Sequence, residues 1–79
     1  MSKYRDIFHT TLEMCMDDGY LKVTRDKVAK KLKISPSLIN YHFGSYAKLM
    51  NNVLNSAIKA GNSELINQMR ANHDRRIKK

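Results

Sequence analysis

Apolar residues recur every three or four positions along most of this chain, in five runs separated by short polar breaks. The first run sets Tyr4, Phe8, Leu12 and Cys15 on one stripe, widened by Ile7, Met14 and Met16. It predicts a helix that begins at Ser2 or Lys3 and ends at Asp18. Gly19 follows and is able to take the left-handed conformation that closes a helix. Asp17 and Asp18 oppose the helix dipole in that last turn, a conflict that Lys22 is placed to answer. Residues 20–23 read as a connector whose Tyr20, Leu21 and Val23 cover the edge of the core.

The second and third runs lie in residues 24–43, TRDKVAKKLKISPSLINYHF, and predict two short helices joined by a tight turn. Thr24 is a good N-cap for the first, which turns Val28, Ala29 and Leu32 to one side. Ser35 caps the second, and Pro36 occupies its first position, where the missing N–H costs nothing and the fixed φ already suits a helix. Ile39 and Phe43 point inward with Leu38 assisting, which leaves Pro36, Ser37, Asn40 and Tyr41 outside. Ser45 then caps a fourth helix with the cleanest period in the chain: Tyr46, Leu49, Met50, Val53, Leu54, Ala57 and Ile58, closed by Gly61. Asn62 or Ser63 starts a fifth, in which Leu65, Ile66 and Met69 form a short apolar patch and Ile77 adds a distant contact. The final residues read as a basic tail that frays.

The fold class this predicts is all-α, a small bundle of four to five helices containing a helix-turn-helix. Residues 1–61 form the helix-turn-helix domain, and residues 62–79 a C-terminal helix and basic tail that serves dimerisation or DNA contact. A chain of 79 residues buries only about 60 to 65% of the surface its unfolded form exposes, so a partner subunit would help its core.

Charge adds the partner. Fifteen Lys and Arg against seven Asp and Glu leave a net charge of +8, and six of the positive residues fall between Lys22 and Lys33 with only Asp26 against them. Basic charge flanking a capped turn favours a polyanion over a merely solvated face. Ser37, Asn40 and Tyr41, with Pro36 beside them, have the composition of a base-reading face. Serine and asparagine hydrogen-bond base edges, asparagine bidentately to adenine, and tyrosine reaches base or phosphate. Lys22, Arg25, Lys27, Lys33 and Lys48 are candidates for phosphate, as are the hydroxyls of Ser35 and Tyr46.

Other chemistry finds little support. His9, His42 and His73 show no metal-ligand spacing with Cys15, there is no glycine-rich phosphate loop, and no serine, histidine and acid arrangement stands out, so neither an enzyme, a metal nor a cofactor is expected. Cys15 reads as a buried structural thiol. No signal-peptide-like or membrane-spanning apolar run occurs, which points to a cytoplasmic protein with no membrane partner.

The order of residues resembles the DNA-binding portion of the tetracycline-repressor (TetR) family over residues 4–58. Gly19 and Tyr20, Thr24, Val28 and Ala29, Ile34 and Ser35, Ile39, Tyr41, His42, Phe43, Lys48 and Leu49 carry the likeness. The resemblance implies that Thr24, Tyr41 and His42 touch phosphates and that the outer face of the third helix enters the major groove. The sequence departs from the family pattern at Lys33, where glycine is usual in the turn and which must therefore accept an awkward conformation. It departs at Asn40, where an aromatic is usual, and at Tyr46, where a phosphate-binding lysine is usual and Lys48 could substitute. Members normally carry a longer ligand-binding and dimerising domain, so no small-molecule inducer is expected for a chain of this length.

The function expected is therefore sequence-specific binding of double-stranded DNA by a small transcriptional regulator, read as a repressor and a homodimer. Its dimer contacts are expected from Val53, Leu54, Ala57, Ile58, Leu65, Ile66 and Met69. The alternative is a protein-interaction adaptor that offers the apolar face of the fourth helix to a polymerase or another regulator.

Overall fold

The computed structural model describes residues 3–77, and Ser2, Lys78 and Lys79 lie outside them. Five α-helices follow one another: α1 (Lys3–Asp18), α2 (Arg25–Leu32), α3 (Pro36–Phe43), α4 (Tyr46–Ala60) and α5 (Ser63–Ala71), with a 3-10 turn at Tyr20–Lys22. Local chemistry sets the helix starts. The side chains of Thr24, Ser35, Ser45 and Asn62 each accept a backbone N–H from the first turn that follows, from Lys27, Ser37, Lys48 and Leu65 respectively.

The ends of α2 and α4 follow a common plan. After α4, Gly61 takes the left-handed conformation, and the N–H groups of Gly61 and Asn62 return to the carbonyls of Ile58 and Ala57. After α2 the same pair of bonds runs from Lys33 to Lys30 and from Ile34 to Ala29, with Lys33 at φ 59 and ψ 45. The turn that the sequence marked as awkward thus forms with a lysine in a glycine conformation. Ile34 packs against the core and holds it there. Left-handed backbone costs an L-residue roughly 1–2 kcal/mol, so Lys33→Gly should stabilise the fold by about 0.5–1 kcal/mol once the extra entropy of glycine is counted. A thermal melt should then shift up by about 2–8 °C.

One core unites all five helices. Ile7, Cys15, Val28, Ile39, Leu49, Val53, Leu54, Leu65 and Met69 are each 0% exposed, and α1 packs against each of the other four helices. This corrects the dimer surface expected from the sequence. Val53, Leu54, Ala57, Leu65 and Met69 lie inside the monomer, because α1 and α5 cover the apolar side of α4. Of the seven residues expected in the interface only Ile58 and Ile66 are part-exposed, and Ile58 itself packs on the core. The segment after residue 61 does not stand apart from the rest, since Leu65 and Met69 fill the common core.

The carboxyl end of α1 is closed by a residue from the far end of the chain. Gly19 has φ 91 and ψ 133, outside the left-handed helical region. The Gln68 side chain of α5 supplies the cap, donating from Nε2 to the Cys15 carbonyl at 3.0 Å and accepting the Tyr20 N–H at 2.9 Å. Lys22 pairs with neither Asp17 nor Asp18, the ion pairs among the described residues being Arg25–Asp26 and Asp74–Arg76. Cys15 is buried with its thiol 3.8 Å from the sulfur of Met50, and burial pushes its pKa up to about 12, so it stays a protonated packing group.

The end of the chain is tied down through Ile77, where the sequence suggested fraying. Tyr20 donates its hydroxyl to Asp74 at 2.8 Å, Arg76 grips both oxygens of Asp74 at 2.9 and 2.8 Å, and Arg76 also donates to Asn51 of α4. Burial raises the carboxyl pKa of Asp74, but hydrogen bonds from the Arg76 backbone, Tyr20 and the guanidinium outweigh it and hold the group below its usual value. A depressed carboxylate stabilises the fold above its unfolded pKa of about 3.9, and that contribution is lost as pH falls through the folded value. Asp74→Asn should therefore cost about 1–3 kcal/mol at pH 7, with the gap from wild type closing below about pH 4. Melts at pH 7 and pH 3 compare the two, and a gap that does not change would contradict the assignment.

Candidate nucleic-acid interface

The two helices of the turn offer one continuous polar and basic surface. Val28 and Ala29 of α2 and Ile39 and Phe43 of α3 are buried, so core packing fixes the direction of both helices. On α2 this leaves Arg25, Lys27, Lys30 and Lys31 exposed, and Lys22 and Lys33 are exposed at its two ends. Lys27 donates one proton of its ammonium to the Lys22 carbonyl at 3.0 Å, which orients the charge and leaves two donors free.

Along α3, Ser37, Asn40 and Tyr41 are exposed, Tyr41 by 80%, and Pro36 and His42 are part-exposed. The Ser35 and Ser37 hydroxyls share a hydrogen bond of 2.8 Å, so the two act as one polar group at the start of α3. The imidazole of His42 meets the edge of the Tyr41 ring at a centroid distance of 5.1 Å, and each ring limits the rotation of the other. Behind them Tyr4 of α1 stacks on Phe43 at 4.2 Å and fixes the end of α3.

At the next break Gly44 adopts φ 88, and the Lys48 side chain lies over it. A Cβ at position 44 would come within 3.2 Å of Lys48 Cδ and 3.4 Å of Nζ. Glycine there lets the ammonium of Lys48 sit close to the end of α3.

Two of the sequence assignments change. Tyr46 leaves the phosphate set: it is part-buried and its hydroxyl donates its single proton to the Val23 carbonyl at 3.0 Å, so it ties α4 to the approach to α2. Burial also pushes its pKa up, which keeps that proton in place. Leu38, read as an inward residue, is part-exposed. Among the described residues, the part-buried apolar side chains packed on the core are Phe8, Leu12, Leu32, Ile34, Tyr46, Met50, Ile58 and Ile77. The signal for Leu38 was in the helical period, since it falls nearer to Tyr41 than to Ile39 around the axis.

Two capped helices at a left-handed turn, with a basic first helix and an exposed polar second one, define a helix-turn-helix DNA-binding domain. The family model described as bacterial regulatory proteins, tetR family, matches residues 7–53, more than half of the chain. The protein belongs to that family, and these residues are the DNA-binding domain of a transcriptional regulator. No curated protein and no solved structure shows significant similarity to it. In this family the domain binds double-stranded DNA and is regulatory, with no catalytic role. No helix among the described residues is long and apolar enough to cross a membrane.

Proposed function

We propose that this chain recognises a specific duplex DNA sequence by laying α3 in the major groove and represses transcription by occupying the site. The observation that carries the reading is the outer face of α3, where Ser37, Asn40 and Tyr41 are exposed and backed by the buried Ile39 and Phe43. Asn40 is suited to bidentate contact with adenine, while Pro36 and the paired Ser35 and Ser37 hydroxyls lie at the leading end. Thr24, Lys22, Arg25, Lys27, Lys33, His42 and Lys48 are assigned to phosphates on either side. The adaptor alternative relied on the apolar face of α4, and that face is covered within the monomer.

Two copies on half-sites with centres roughly 34 Å apart, one DNA turn, is the proposed dimeric arrangement. Any contact between them falls to the outer side of α4 and α5 around Ile58 and Ile66. Mass in solution at tens of micromolar, with and without DNA, tests this: two copies are expected on DNA, and a single copy per operator would overturn the paired arrangement.

Selection of bound fragments from random duplex DNA at two salt concentrations tests the function itself. A consensus is expected at both, with affinity falling by about 0.9 in the log–log slope per neutralised phosphate. Salt-dependent binding with no consensus would reduce the protein to a general polyanion binder.

A further inference from the structure

The residue opposite the buried side of α3 is flanked by a leucine. Each residue turns the helix by about 100°, so Tyr41 lies about 160° from both Ile39 and Phe43, as far from the core as the helix allows. Ser37 and Leu38 fall on either side of Tyr41, at about 40° and 60°, whereas Asn40 and His42 are each about 100° away on the two flanks. The centre of the outer face is thus Ser37, Leu38 and Tyr41. Of its polar groups, the Ser37 hydroxyl is already bonded to Ser35. Beside the hydroxyls of Ser37 and Tyr41, the centre holds one side chain with no polar group at all, the part-exposed Leu38, next to the ring of an 80% exposed tyrosine.

A leucine has no hydrogen bond to offer a base. In the major groove the apolar feature open to it is the 5-methyl group of thymine, and the other bases present donors and acceptors that Leu38 would strip of water without replacing. We infer that Leu38 is a specificity-determining residue that selects thymine through its methyl group. This rests on the reading of α3 as the base-contacting helix and assigns one of its base preferences. Asn40, on the flank, then contacts a neighbouring position and does not share that base.

The test uses duplexes selected as above, with each thymine of the consensus replaced in turn by deoxyuridine, which differs only in lacking the methyl group. At one thymine per half-site, wild type should lose about fourfold in affinity, the factor that burying one methyl group gives. Leu38→Ala, with an unchanged circular-dichroism melt, should bind the thymine duplex more weakly and show no further loss on the uridine one. Wild-type affinity that is the same for every uridine duplex would overturn the inference. So would a Leu38→Ala variant that keeps the full uridine penalty, or a consensus without thymine. In each of these cases a consensus still exists and α3 still reads DNA, whereas the absence of any consensus removes that underlying reading and the Leu38 assignment with it.

Discussion

Leu54→Asp is expected to unfold the domain. Leu54 is 0% exposed in a core to which α1, α4 and α5 all contribute, and among the described residues no cationic group is buried beside it. Placing a carboxylate there removes a leucine, whose loss alone costs about 2–5 kcal/mol, and adds the desolvation of an unpaired charge. A domain of this size has roughly 4–12 kcal/mol of stability in total, so the variant should show little helical circular dichroism at room temperature. Ile66→Asp, one position beyond the buried Leu65 and part-exposed, should stay folded and melt within a few degrees of wild type. If Leu54→Asp instead gave a well-folded chain that had merely lost self-association, the apolar side of α4 would lie between two copies and its place in the monomer core would be wrong.

The second large effect is on recognition. Asn40→Ala combined with Tyr41→Ala removes two exposed side chains without touching the core, and the melt should be unchanged within about 1 kcal/mol. Affinity for a selected operator should fall by about 2–4 kcal/mol, on the order of 100-fold, while affinity for random duplex falls far less. Replacing Lys22 and Lys27 should have the complementary signature, weakening all duplexes alike and lowering the salt slope by about 0.9 for each phosphate that is no longer neutralised. Titrations of labelled duplexes at several salt concentrations separate the two. Loss of affinity in equal measure for operator and random DNA in the Asn40 and Tyr41 double variant would mean that these side chains read no bases.

The two predictions draw on different kinds of information in the chain. Helix starts and stops were legible because their causes are local: Thr24, Ser35, Ser45 and Asn62 bond to N–H groups two or three residues away, and Gly61 closes α4 through its own carbonyls. The strain at Lys33 was legible through the family resemblance, which puts a glycine where this chain has a lysine, and φ 59 at that position agrees with it. The apolar period of α4 was also plain, yet a period states that a face is covered and not what covers it. Here α1 and α5 do so, and five of the residues expected between two copies became core.

The clips that hold the ends of the bundle left no mark in the sequence. Gln68 caps α1 across 48 and 53 positions, and Tyr20 reaches Asp74 across 54. Glutamine and aspartate at such distances look like ordinary surface residues until the chain is folded. At the candidate site, composition singled out Ser37, Asn40 and Tyr41 correctly as exposed, but Leu38 was counted inward beside Ile39 and Phe43, and Tyr46, although part of the apolar period of α4, was given a phosphate role. Burial and a single hydrogen bond reverse both.

The most direct test of α3 as a sequence reader is the ratio of two affinities measured at about 0.15 M salt: for the selected operator, and for a duplex of the same length and base composition in shuffled order. The predicted ratio is at least about 1,000 in favour of the operator. Equal affinities would show that the basic surface binds DNA without reading it.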